Sequence, residues 1–216
     1  MAQRTIHVLF ATLLSEKIEI SDGNRFLLGS ILPDAYAEPA SRKAAHFMAR
    51  DPEENHIWFD FHSFSNLYNP QILNDDLYLG YYAHLIEDAF YRFFLYYEKD
   101  LMSRISKYDL TFLHSDYHLL NSYITEKYDL PDHLELPADF SNEPIRRITD
   151  FSVEKAISDY ENDLVEKAEG QTKFLTESIL EEFIGEYTDI LANELRSIKQ
   201  GVTTLHARDY QWENKK

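Results

Sequence analysis

The chain contains no cysteine. Disulfides and thiolate metal sites are therefore excluded, and any bound metal must be held by histidine and carboxylate groups. Glycine is scarce, with six residues in 216. That argues against a turn-rich all-β fold and against a glycine-rich phosphate loop. Positive charge is scarce as well: 21 Lys and Arg stand against 38 Asp and Glu, a net charge of -17. Phosphate contacts need Lys and Arg, so this balance argues against nucleic acid as a partner. It leaves open a phosphoester bound through metal ions, which reverse the local sign. No uncharged apolar run reaches the ~18 residues of a membrane span. The first residues, Met1 to His7, lack the charged region, apolar run and cleavage site of a secretory signal, so a cytoplasmic location is expected.

What is present points to helices. Hydrophobic residues make up 44% and aromatics 14%, enough for a substantial globular core. Helical spacing of apolar residues runs over Thr5–Ile18, with Thr5 as a cap, and over Phe26–Leu32, stopped by Pro33. A short helix can start at Ser41 or Arg42 and reach Met48. The aromatic-rich run His56–Tyr68 reads as helical or irregular. A long helix is expected over Asn74–Arg104 with Asn74 as its cap, then one capped by Ser115. Residues 129–145 hold Pro131, Pro137 and Pro144 and read as a long connection. Helices follow over Ser152–Glu169 and Thr172–Ile198, and a polar tail begins at Gly201. The expectation is an all-α, single-domain bundle of about six to eight helices spanning residues 1–216. Its chemistry falls in residues 1–120, and the C-terminal helices cover 152–199.

The long central helix carries a contradiction. Positions 77, 81, 84, 88, 91 and 95 read Leu, Tyr, His, Asp, Tyr, Leu, one continuous seam. The flanking rows are apolar too. His84 and Asp88 lie one turn apart on the same face, and burying a charge is costly unless it is paired or bound to a metal. Such a pair makes half of a zinc site. Partners available upstream are His7, Asp34, His46, His56 and His62; downstream are His114, Asp116 and His118. Each has a plainer reading. His46 can be a core histidine bonded to a carbonyl, Asp34 a cap after Pro33, and His84–Asp88 a buried hydrogen-bonded pair.

Three stretches carry a family resemblance: Leu27-Leu28-Gly29-Ser30-Ile31-Leu32-Pro33-Asp34, then His46-Phe47, then Gly80-Tyr81-Tyr82-Ala83-His84-Leu85-Ile86-Glu87-Asp88. Together they resemble the bacterial zinc-dependent phospholipase C family, which shares an all-helical, phospholipase C/P1 nuclease-like fold. The resemblance covers roughly the first 120 residues. It implies zinc ligation by Asp34, His46, His84 and Asp88, with His7 matching the family's early histidine more weakly. Two features depart from the family. The secreted members use a mature N-terminal Trp amine as a ligand, whereas this chain begins at Met1 without a signal. They also carry a further His followed by His-x-x-x-Glu, where this chain has His114-Ser115-Asp116-Tyr117-His118.

The resemblance implies a zinc-dependent phosphoester hydrolase, its substrate a phospholipid head group, a nucleotide or another small phosphate; the charge of -17 makes a small soluble phosphoester the least strained of these. One Zn2+ is held by Asp34, His46, His84 and Asp88 and activates a water. Asp88 can bridge to a second ion bound by His7, and His114 or His118 can orient substrate or protonate the leaving group. The alternative is a non-catalytic helical protein with a structural or vestigial metal site that works by binding a partner. The oligomeric state is not legible in the sequence.

Overall fold

Every residue from Asp76 to Tyr91 is buried, and the rest of the chain is wrapped around that segment. The computed structural model describes residues 2–101, 105 and 110–213, with only the backbone described for 110–112. Eight α-helices stand among the described residues: α1 (Arg4–Ser15), α2 (Gly23–Ile31), α3 (Arg42–Ala45), α4 (Phe61–Asn74), α5 (Asp76–Phe93), α6 (Leu110–Lys127), α7 (Val153–Val165) and α8 (Glu177–Ile198). The expected all-α bundle is found, with one addition. Strands β1 (Met48–Asp51), β2 (His56–Phe59) and β3 (Trp212–Glu213) form a small antiparallel sheet in the order β1-β2-β3.

The sheet corrects one expectation. His56–Phe59 is a strand, and only from Phe61 does the aromatic run become helical. In the polar tail after Gly201, Trp212 pairs with Ile57 and is buried. The β1–β2 hairpin pairs Met48 with Phe59 and Asp51 with His56. Its turn is made by Asp51, whose Oδ1 accepts the N–H groups of Glu53 at 3.0 Å and Glu54 at 3.2 Å, the usual Asp turn chemistry.

Several helix starts differ from where composition places them, by one residue at α5 and by more elsewhere. Asp75, not Asn74, caps α5 and accepts the Leu77 N–H at 2.9 Å. α1 begins at Arg4, and Gln3, not Thr5, precedes it without a side-chain cap bond. Ser115 lies inside α6 and does not cap it. Thr176 caps α8, so the helix expected from Thr172 starts at Glu177. α7 ends at Val165. After Phe93 the α-helix widens into π turns over Phe94–Glu98; the expected continuation to Arg104 runs into residues 102–104, which lie outside the described residues. Residues 129–145 are irregular as expected, yet Leu134, Phe140 and Ile145 are buried against the core.

The backbones of α2 and α5 pack against each other at close range. A Cβ on Gly29 would lie 2.1 Å from the Leu77 carbonyl oxygen, and one on Gly80 would lie 2.1 Å from that of Phe26. Only glycine permits two helix backbones to meet this closely. That contact sets the depth at which α2 delivers its last turn to α5.

Candidate metal centre

Four separate segments bring five side chains to one buried point. α1 supplies His7, and the 3-10 turn Leu32–Asp34 that follows α2 supplies Asp34. His46 ends α3, and α5 supplies His84 and Asp88. His7, His46, His84 and Asp88 side chains have no solvent exposure; Asp34 keeps 13%. Pro33 stops α2 and turns Asp34 inward. His46 is fixed from both sides: the Tyr81 hydroxyl donates to the Ala45 carbonyl oxygen, and Phe47 takes a left-handed backbone conformation, φ 48°. That conformation is rare for a bulky residue. Here it ends α3 and turns the chain into β1.

The three histidines share one design. His84 Nδ1 lies 2.6 Å from the Ser30 carbonyl oxygen, His46 Nδ1 2.9 Å from that of Arg42, and His7 Nδ1 2.9 Å from Glu87 Oε2. Carbonyl oxygens only accept, so His84 and His46 carry their protons on Nδ1 and present Nε2 as a lone pair. Yet His46 Nε2 and His84 Nε2 face each other at 3.4 Å. Two lone pairs at that distance would repel; a metal ion between them, or a proton on one Nε2, reconciles the geometry. Two further atoms at the centre, His7 Nε2 and Asp88 Oδ2, are buried without a hydrogen-bond partner, an arrangement that is costly without a counter-charge.

The spacing fits an ion. His46 Nε2 is 3.2 Å from Asp34 Oδ1 and 3.6 Å from Asp88 Oδ2, and His84 Nε2 is 3.6 Å from Asp88 Oδ2. Tetrahedral zinc with bonds near 2.0–2.1 Å separates its ligands by about 3.3 Å. On the other side, His7 Nε2 lies 3.7 Å from Asp34 Oδ2 and 3.8 Å from Asp88 Oδ1. Each aspartate thus turns one oxygen to the His46–His84 side and the other to His7. The His7 and His84 rings stack with centroids 3.8 Å apart. The Ala2 N–H also donates to Asp88 Oδ1 at 3.0 Å.

The electrostatics are those of a crowded anionic centre. Burial opposes charge on Asp34, but the His46 hydrogen bond and the nearby imidazoles outweigh it and hold the carboxyl well below the usual range. Asp88 is also held low, against its burial, by surrounding positive charge that includes His84 and His7. Burial would depress His7, yet Glu87, Asp88 and Asp34 win and raise it to about 9. Burial, reinforced by the charge on His7, lowers His84 to about 3. Glu87 is pushed up by burial, with His7 opposing.

All five metal ligands expected from the sequence therefore meet. The other candidates do not join them. His114 and His118 are exposed on α6 and belong to neither group of converging ligand atoms, His7–Asp34–His84 or His46–His84–Asp88, and His118 Nδ1 lies 3.1 Å from Glu166 Oε2. Asp116 is buried, but its carboxylate accepts the N–H groups of Lys173, Phe174 and Leu175 at 2.7–2.9 Å and serves the connection before α8. His56 lies 3.5 Å from Glu54, and His62 packs near His206 with ring centroids 6.0 Å apart. Sequence reasoning missed Glu87, which orients His7, and the carbonyl oxygens of Ser30 and Arg42. A charge on a helix apolar on every side is the signal that marks Glu87. Comparison with known proteins adds nothing to these residues: no protein-family model, curated protein or solved structure matches the chain.

Proposed function

We propose that the chain is a metal-dependent hydrolase of small phosphoesters, with zinc held by His46, His84, Asp34 and Asp88. The observation that carries the metal is the convergence of the His46 and His84 Nε2 atoms, 3.4 Å apart, with the carboxylates of Asp34 and Asp88 around them. Without sulfur, an N/O donor set of this kind suits zinc. A divalent ion there supplies Lewis acidity and lowers the pKa of a coordinated water towards neutrality. The chain's own residues do the rest. Ser30, Arg42 and Glu87 orient the imidazoles, Asp34 and Asp88 provide the negative charge, and the buried walls exclude bulk water. Asp34, the one ligand with exposure, marks the side from which substrate enters. His7, with the second oxygens of Asp34 and Asp88, forms the place for a second ion. The reading gives His114 and His118 no proton transfer, because both stand in solvent away from the cluster. The phospholipase C-like resemblance supports a phosphoester as substrate, and the charge of -17 favours a small soluble one over nucleic acid or an anionic membrane.

Near-complete burial of the ligands favours a second reading, a closed structural metal site in a protein that works by binding a partner. Metal analysis of the purified chain and of His84→Ala tests the site itself. About one or two equivalents of zinc in the parent and a loss of most of it in the variant are expected; full occupancy in His84→Ala would overturn the assignment. Chelator-sensitive cleavage of small chromogenic phosphoesters then separates hydrolase from structural site, since a closed site gives metal without turnover.

A further inference from the structure

In a chain this acidic, four cations line one pocket. Arg42, Lys43, Arg50 and Arg92 border a cavity of about 330 Å³ between α3, the β1–β2 hairpin and the end of α5. Glu213 is the one carboxylate among its lining residues. Among the described residues, Lys43, Arg50 and Arg92 have no carboxylate within 4.0 Å; Arg50 bonds instead to Asn55 Oδ1 at 3.2 Å. Arg92 is held rigidly. Its guanidinium lies over Trp212 at 4.3 Å and Tyr96 at 4.7 Å, donates to the Tyr96 hydroxyl at 2.9 Å, and leaves a buried Nε without a partner. A stacked guanidinium keeps its in-plane N–H donors available for an oxyanion. Lys43, Arg50 and Arg92, like charges with no carboxylate partner among the described residues, repel one another, and an anion in the pocket would relieve that repulsion.

We propose that this pocket binds the phosphate or pyrophosphate group of a small soluble ligand. The Lys43 ammonium and the Arg50 and Arg92 guanidinium groups exceed what Glu213, the one carboxylate among the described lining residues, can use, and match a multiply charged oxyanion. The net charge of -17 disfavours an anionic bilayer as the source of that group. No metal ligand lines the pocket, so the inference stands apart from the metal reading. The two places are nevertheless neighbours: Arg92 follows Asp88 by one turn on the same helix face, and His46 hangs from the Arg42 carbonyl oxygen at 2.9 Å. A phosphate held here would sit beside the metal centre.

Calorimetric titration of the full chain with inorganic phosphate and with pyrophosphate tests this, with and without chelator and in His84→Ala. Saturable binding that survives chelation is expected. It should weaken about tenfold or more in the double variant Lys43→Gln/Arg50→Gln, both of whose sites are exposed. It should be unchanged in Lys155→Gln, an exposed charge on α7 that does not line the pocket. Four results overturn the proposal: no saturable binding, undiminished binding in the double variant, equal loss in Lys155→Gln, or binding confined to vesicles containing phosphatidic acid. Binding abolished by chelation would also overturn it, by placing the anion on the metal, and would leave the metal reading standing. Phosphate binding in a chain that holds no zinc would support the pocket while the metal reading failed.

Discussion

Glu87 shows how much of the site depends on a residue that ligates nothing. Its Oε2 lies 2.9 Å from His7 Nδ1, and it fixes both the tautomer and the ring orientation of His7. Partners of this kind commonly change metal affinity by about 10- to 100-fold. Glu87→Gln keeps the shape and the hydrogen-bonding reach but removes the charge. It should bind the second ion about tenfold or more weakly while leaving the His46–His84 site loaded, which competition with a chromophoric chelator would resolve as selective loss of one equivalent. The sign of the pH dependence follows from the same residue. In the ion-free chain the carboxylates raise His7 to about 9, so below that value a proton occupies the Nε2 that an ion needs. Affinity at the His7 position should therefore climb from neutrality to about 9 and level off above it. An affinity flat across that window would exclude His7 as a ligand.

At the scale of elements, the α2–α5 crossing explains how the side chains of the proposed metal site come together in the core of a bundle. Gly29 and Gly80 let the two backbones touch, and this brings the Ser30 carbonyl oxygen within 2.6 Å of His84 Nδ1. Gly80→Ala would place a methyl group against the Phe26 backbone, which cannot rotate away as a side chain can. The expected cost is about 3 kcal/mol or more, read as a lowered denaturation midpoint. Metal affinity should fall with it, because a displaced α2 withdraws both Ser30 and Asp34. Loss of stability with unchanged affinity would separate the crossing from the site. The His84–Asp88 pair was legible in the sequence because its four-residue spacing sits inside an otherwise apolar helix. The glycines were visible only as part of a motif, since a close backbone approach leaves no trace in hydrophobic periodicity. The sheet was not legible at all. His56–Phe59 is too short to show alternation, and its partner Trp212–Glu213 is a two-residue strand at the far end of the described chain.

For the whole molecule, the centre is a knot between parts of the chain that are distant in sequence. His7, Asp34, His46, His84 and Asp88 come from α1, the turn after α2, the end of α3, and α5. The C-terminal region is tied in elsewhere, through Glu194. This buried carboxylate accepts from the Tyr82 hydroxyl at 2.8 Å and from the Thr204 and Leu205 N–H groups at 2.8 and 3.1 Å. The ion-free centre holds the carboxylates of Asp34, Glu87 and Asp88 around one histidine raised to about 9, an excess of negative charge away from water. A bound cation removes that penalty and links all four segments at once, so folding and metal binding must be coupled. An ion present at about a thousandfold above its dissociation constant adds roughly 4 kcal/mol. For a chain of this length that corresponds to a rise in Tm on the order of 10 °C. Thermal unfolding with saturating zinc and with chelator should differ by that amount in the parent. The difference should vanish in His84→Ala, and it should persist in Glu194→Gln, whose own loss of stability comes from a tether outside the centre. A parent chain whose Tm ignores both zinc and chelator would mean that the five side chains meet without holding an ion, and that protons shared among His7, His46 and the aspartates neutralise the core instead.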